Sequence, residues 1–306
     1  MILTVTLNTS LDQTLFVNCL QPGDTNRVSH SEMDAGGKGI NLSRVAHSLG
    51  ASTVALGFAG GPTGEFLRSL LHQDGVQHRL TQTTESTRTN INIENEDGSP
   101  PTTLNARGPL VSPREWEEFL QVFQEEVCGA QWVCLCGSIP PGLERTAYLE
   151  LAKLANGKSI LIDTDGEPLV AALTAKPDLI KPNRKEAERL LGRPVSDAAT
   201  DVVSLREITG GRFAIISLGK EGAVLASDEG VFKGISPSVE AVSSIGSGDS
   251  MLGAFLSRVE AGDPPALAFQ WGLAAGAATA TTDGKQIGHP SVIELLFDRA
   301  IVRQVG

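Results

Sequence analysis

SILIDTDGEPLVAALTAKPDLIKPNRKEAERLL, residues 159–191, is the stretch on which the fold class turns. Its two apolar runs, 159–162 and 179–181, are too short for helices, a helix-length gap separates them, and a helix candidate at 184–191 follows. Strand and helix alternating in this way build a parallel sheet with helices packed on it. Outward from here the same rhythm covers most of the chain. Further central strands are expected at 3–7, 53–58, 132–135 and 213–217, and helices at 40–49, 64–74, 113–127, 145–155 and 250–259, each near a Gly, Pro or Asp breaker. Two stretches interrupt the pattern. Residues 14–33 and 87–105 are rich in Thr, Asn and charged side chains and read as extended chain that pairs into a lid, spanning 12–34 and 86–108. No internal repeat, low-complexity tract or linker divides the chain, so 1–306 reads as one α/β domain carrying that lid.

The 306 residues are 41% hydrophobic and 20% charged, globular usage that excludes a disordered or fibrous chain. Thirty-six acidic against 25 basic residues leave a net charge of −11, which opposes general attraction to nucleic acid. An anionic substrate must therefore meet a local cluster of cations. The opening MILTVTLNTSLD lacks the basic start and long apolar core of a signal peptide, and the longest apolar stretch, 266–280, is too short and too rich in Ala and Gly to span a bilayer. A cytoplasmic protein without membrane contact is expected. Cys19, Cys128, Cys134 and Cys136 form no Cys-x-x-Cys pair and read as reduced; Cys134 and Cys136 share one strand face and should pack as small apolar groups. The five scattered histidines show no metal-ligand spacing.

Chemistry concentrates in four short motifs. Gly246-Ser247-Gly248-Asp249 precedes the helical run SMLGAFLSRVE. Glycines let backbone N–H groups turn inward and a helix start adds a positive dipole end, together a cradle for a phosphoryl group, while the Asp is placed to accept a hydroxyl proton. The same four residues also fit a Gly-rich turn with a helix-capping Asp. Asp34-Ala-Gly36-Gly37-Lys38-Gly39-Ile-Asn41 combines close backbone approach with a point charge and a bifunctional amide. Neither the P-loop spacing nor a dinucleotide fingerprint is present. Lys181-Pro182-Asn183-Arg184-Lys185-Glu186 sets Asn183 and Glu186 one helical turn apart, where they suit water around Mg²⁺ or a solvated helix start. Ser217-Leu-Gly219-Lys220-Glu-Gly222 follows an apolar strand and reads as a nucleotide-contacting loop or a hairpin turn.

In order along the chain, Thr6-Leu7-Asn8-x-x-Leu11-Asp12, Gly23-Asp24-x-Asn26-Arg27-Val28, Ala35-Gly36-Gly37-Lys38-Gly39-Ile40-Asn41, Gly137-Ser138-Ile139-Pro140, Lys181-Pro182-Asn183-x-x-Glu186, Ser217-Leu218-Gly219 and Gly246-Ser247-Gly248-Asp249-Ser250 resemble the PfkB carbohydrate kinases. The match is nearest the branch that holds 1-phosphofructokinases and tagatose-6-phosphate kinases. The resemblance implies a ribokinase-like three-layer α/β/α core with a mainly parallel sheet and a small β-sheet lid. It implies ATP and Mg²⁺ as cofactors and a phosphorylated hexose as substrate, with fructose 1-phosphate first, then tagatose 6-phosphate and fructose 6-phosphate. By the same carry-over Asp249 is the base and Gly246, Ser247 and Gly248 the anion hole. Asp12, Gly36, Gly37, Lys38, Asn41 and Ser138 would meet the sugar phosphate, with Arg27 and Arg88 at its phosphate. Asn183, Glu186, Ser217, Gly219 and Gly222 would serve the nucleotide, Glu186 reaching the metal through water. A catalytically silent sugar-phosphate sensor is the reading from a different class. An apolar outer lid face would favour a homodimer through the lid.

Four positions depart from the pattern. Thr9 stands where Pro is usual, Asp165 replaces a Ser in Asp-x-Ser-Gly-Glu, Asn92 lies where Lys is frequent, and Arg107 adds a cation to the lid. They bear on which sugar is taken, and leave the ATP chemistry as it stands.

Overall fold

The computed structural model describes residues 1–282 and 286–305. A ten-stranded sheet runs through it. Third from one edge lies β1 (Ile2–Thr6), flanked in parallel by β4 (Thr53–Ala59) and β8 (Trp132–Cys136). Beyond β4 comes β5 (Gln77–Gln82); beyond β8 come β9 (Ser159–Asp163), β10 (Leu179–Ile180) and β11 (Phe213–Ser217), all parallel. Three antiparallel strands, β12 (Ala223–Ser227), β13 (Gly230–Ile235) and β14 (Ile301–Val305), complete that edge. A separate four-stranded sheet has the order β3 (Val28–Gly36), β2 (Ser10–Val17), β6 (Arg88–Asn95), β7 (Thr102–Leu104).

Helices cover both faces of the large sheet, as parallel strands buried on two sides require. One layer is α3 (Pro113–Val127), α4 (Ala147–Leu154), α5 (Gly166–Leu173), α6 (Arg184–Leu191) and α7 (Ala198–Thr209). The other is α1 (Lys38–Ser48), α2 (Gly61–Gln73), α8 (Ser247–Glu260), α9 (Pro265–Ala280) and α10 (Pro290–Phe297). Strand alternation sorts the core between them. Leu3, Val5 and Leu7 pack with Phe119, Phe123 and Tyr148, whereas Ile2, Trp132, Cys134 and Cys136 pack with Leu252, Phe255 and Leu256. Local signals fix the helix ends: Ser112 and Glu115 form a reciprocal capping box with Pro113 in the first turn of α3, and Gly192 and Gly210 end α6 and α7 in the left-handed region.

The expected three-layer, mainly parallel architecture is what forms, and each of the six expected central strands is present. Residues 14–33 and 87–105 do pair, because β2 lies between β3 and β6. Two features differ from expectation. α2 and α8 each begin three residues earlier than expected, because Gly61 and Pro62 form the first turn of α2, and Ser247, Gly248 and Asp249 of the glycine-rich motif that of α8. The antiparallel edge β12–β14 lies outside the expected strand set, because Gly230 and Gly234 interrupt its apolar alternation. No described helix is long and apolar enough to cross a membrane. The apolar 266–280 stretch is instead α9, whose small residues let α8 approach closely: a Cβ at Gly272 would lie 2.9 Å from the Met251 carbonyl oxygen, and one at Gly253 of α8 2.6 Å from that of Leu42. α8 is thereby wedged between α1 and α9, with its N-terminus at the carboxyl end of the sheet.

Candidate active site

Open α/β sheets bind ligands beyond the carboxyl ends of their strands where strand order reverses. Here the reversal falls between β1 and β8, and the residues that follow those strands and their neighbours converge there. Asn8 after β1 donates from Nδ2 to Ser138 Oγ after β8 at 3.1 Å, and the Gly137 amide donates to the Asp163 carbonyl at the end of β9 at 2.9 Å. Into this crevice α8 points its N-terminus. Gly246 takes the left-handed conformation there (φ 77°), and Asp249, in the first turn, is buried.

Charge is dense around Asp249. Asn41 Nδ2 donates to Asp249 Oδ2 at 2.9 Å, and Lys38 Nζ donates to Asp163 Oδ1 at 3.0 Å. Lys181, which follows β10, is buried under α8, so that a Cβ at Gly248 would lie 2.9 Å from its Nζ. Burial and the neighbouring Asp163 carboxylate push the Asp249 carboxyl up to about 6, against the pull of Lys38, Asn41 and Lys181. Burial works the same way on Asp163, but Lys181 and Lys38 outweigh it and hold that carboxyl below the ordinary range. For Lys38 burial disfavours the charge, and Asp163, Asp249 and Glu186 more than restore it. Two carboxylates thus have protonation states driven apart, which is how acid–base sites are built.

Toward the small sheet, Asp12 Oδ1 accepts from Ser10 Oγ and Asn90 Nδ2, each at 2.8 Å. A side chain at Gly36 would collide with that carboxyl, and a Cβ at Gly37 (φ 123°) would stand 2.6 Å from Thr6 Cγ2. Arg88 donates to the carbonyls of Asn8 and Ala106 at 2.8 Å and of Thr9 at 3.3 Å, bracing the neck between the sheets; burial lowers its pKa, with Asp12 opposing. Thr9 donates its hydroxyl to the Phe58 carbonyl, a bond the usual Pro has no group to make. Asn92 is buried, donating to Glu94 at 2.6 Å and accepting from Thr103 at 2.9 Å. Arg107 is exposed and Asn8 Nδ2 donates to its carbonyl at 3.2 Å. Asp165 is exposed at the start of α5.

On the far side, Asn183 and Glu186 cap α6 reciprocally: Asn183 Oδ1 accepts from the Glu186 amide at 3.0 Å and Glu186 Oε2 from the Asn183 amide at 2.8 Å. Asn183 bridges to Ser217. The Ser217 to Gly222 stretch is the β11–β12 hairpin turn, with Gly219 and Gly222 at φ 64° and 101° and Gly222 lying against the Gly234 carbonyl. Asp249, Asn41 and Lys38 are therefore brought together, with Asp12, Gly36, Gly37, Arg88 and Ser138 on one flank and Asn183, Glu186 and Ser217 on the other. Arg27 is not among them. It is exposed beyond the distal end of the β2–β3 pair, roughly 30 Å along the strand from Gly36 by register. Asp163 and Lys181 are the residues that motif reading left unassigned. Both lie inside quoted motifs, and only the strand ends beneath them reveal that they face Asp249.

A three-layer α/β sandwich with an acid at a glycine-rich helix start, one buried and one partly exposed lysine beside it and a small second sheet belongs to the class of sugar kinases. The chain is a member of the pfkB family of carbohydrate kinases, whose family model matches residues 5–291. It is 31% identical to the 1-phosphofructokinase of Bacillus subtilis strain 168 over the full length of both chains, and 34% identical to that of Borreliella burgdorferi over 92% of each. Among solved structures, phosphofructokinase-2 from Escherichia coli in complex with substrates and products superposes with a TM-score of 0.89 at 28% identity, covering 97% of this chain and 98% of that one.

Proposed function

We propose that this chain transfers the γ-phosphoryl group of ATP to a hexose phosphate, giving ADP and a hexose 1,6-bisphosphate, with fructose 1-phosphate the leading acceptor. The observation that carries it is Asp249: a buried carboxyl at a glycine-rich helix N-terminus, held by Asn41 and poised with a pKa of about 6. Asp249 takes the proton of the attacking hydroxyl, and the amides of Gly246, Ser247 and Gly248 face the oxygens of the transferring group. Asp12, Gly36, Gly37, Asn41 and Ser138 line the sugar, and Arg88 faces its phosphate. Asn183, Ser217, Gly219 and Gly222 line the nucleotide.

The donor set suits Mg²⁺. Mg²⁺ keeps several waters and takes its other ligands from substrate phosphates, so it asks for few protein carboxylates beside the crevice. Glu186 would hold it through water, and the ion would supply charge neutralisation between the phosphates. The four-stranded sheet acts as the lid that excludes water. Its outer face presents Leu15, Ile91 and Ile93, partly exposed, beside Met33 and Leu104, which are 38% and 54% exposed; an apolar face of this kind supports a homodimer through the lid. Four free cysteines and the relatives' names favour the cytoplasm.

Mg-dependent ADP release with fructose 1-phosphate, tagatose 6-phosphate, fructose 6-phosphate, fructose, ribose and adenosine, compared side by side, is the test. The highest kcat/KM is expected for fructose 1-phosphate. A winner without a phosphate would remove the phosphate subsite, and tight hexose-phosphate binding with no ADP would make the protein a sensor.

A further inference from the structure

Tyr148, on α4, is the only tyrosine of the chain, and none of it is exposed. It belongs to the same core cluster as Leu3, Val5 and Leu7, where a Phe or Leu ring or chain would serve packing as well. What calls for explanation is its hydroxyl, since a buried hydroxyl is costly unless it finds partners. It donates to the Cys136 carbonyl at 2.6 Å, and the Leu7 backbone hydrogen-bonds to the same group. Thr6 and Cys136 are the last paired residues of β1 and β8. The hydroxyl therefore sits just past the last rung of the ladder, between the two strands whose order reversal opens the crevice.

One residue further on, both chains enter the site. Asn8 follows Leu7 and donates from Nδ2 to Ser138 Oγ at 3.1 Å, while Arg88 holds the Asn8 carbonyl at 2.8 Å. Ser138 is exposed, and because Asn8 is the donor, the Ser138 proton is left to be given to a ligand oxygen. Asn183 and Ser217, on the nucleotide flank, belong to β10 and β11, two and three strands away from β8. We propose that Tyr148 is a positioning residue for the acceptor sugar: its hydroxyl fixes the exits of β1 and β8 against each other, so that Asn8 holds the Ser138 hydroxyl toward the bound hexose phosphate. This rests on the reading above, in which Ser138 lines the sugar. Tyr148 itself touches no substrate and acts through the two chain ends it joins.

The experiment compares wild type, Tyr148→Phe, Ser138→Ala and the double variant. It reads kcat, KM for fructose 1-phosphate and for ATP, calorimetric Kd for fructose 1-phosphate alone, and Tm. Tyr148→Phe is expected to raise KM and Kd for fructose 1-phosphate about 10-fold, with KM for ATP within ~2-fold and kcat within ~3-fold. In the Ser138→Ala background the same change should cost less than ~2-fold, because the hydroxyl acts through that side chain. A Tyr148→Phe protein that melts lower yet binds fructose 1-phosphate as wild type does would assign the hydroxyl to the core alone and overturn the inference. Equal weakening of ATP, or losses that multiply in the double variant, would overturn it too. A second measurement needs no change at Tyr148. With one tyrosine, 3-fluorotyrosine labelling gives a single fluorine resonance, which should shift on saturation with fructose 1-phosphate in wild type and hold still in Ser138→Ala; an unmoved resonance in wild type would end the proposal. If wild type uses only an unphosphorylated sugar, the hexose-phosphate reading falls, and KM of Tyr148→Phe for that sugar decides by the same ratios. If wild type binds fructose 1-phosphate without turnover, the kinase reading falls and the Kd ratios decide. Neither binding nor turnover of any sugar by wild type would end both.

Discussion

A carboxyl poised near 6 is ionised at neutral pH and protonated a short way below it, so Asp249 makes two predictions. Because the base must be ionised, kcat/KM should fall about tenfold per pH unit once the pH drops below about 6, and a pH–rate profile reads this directly. Asp249→Asn, close in shape and unable to take a proton, should cut kcat by at least ~10³-fold while ATP affinity stays within a few fold; an active Asn variant would sink the base assignment. At this scale the sequence was legible wherever a motif carried its own geometry. The glycine-rich turn before α8 needed no tertiary information. Asp163 and Lys181 were opaque because their significance lies in facing Asp249 from two separate strand ends, and Arg27 was placed with the phosphate on motif order alone although register carries it to the distal end of its hairpin.

Among the elements, α8 and the β3–α1 turn are the two that carry chemistry, and both depend on positions where a side chain has no room. Gly37→Ala combines a positive φ with the Thr6 contact, so a loss of about 2 kcal/mol in denaturant stability is expected, with a larger proportional loss of kcat because Lys38 is the next residue. In the packing layer, Phe119 lies 5.0 Å from Phe58, centroid to centroid, and is fully buried; Phe119→Ala should cost about 3–5 kcal/mol. The parallel strands and their helices were readable because burial on both faces leaves uninterrupted apolar runs. The antiparallel edge was not, since β13 has to accommodate Phe269 and Leu273 of α9 through Gly234, and a strand broken by glycine for that purpose loses the alternation that announces it.

For the molecule as a whole, the outer face of the small sheet is an exposed apolar surface, and Leu104 on its short edge strand is more exposed than Met33 beside it. Leu104→Asp should convert a dimer to a monomer in sedimentation velocity without loss of secondary structure, whereas a wild-type protein that sediments as a monomer would remove the interface altogether. The four thiols divide just as unevenly. Cys128 is exposed and Cys19 partly so, while Cys134 and Cys136 lie inside the sheet, where burial drives both thiols far up from their ordinary range. The chain thus contains a built-in clock for its own opening. Alkylation followed by mass spectrometry should show two modifications on the folded protein, and the third and fourth should arrive together, at the rate at which the central strands part and with no label ever introduced by design.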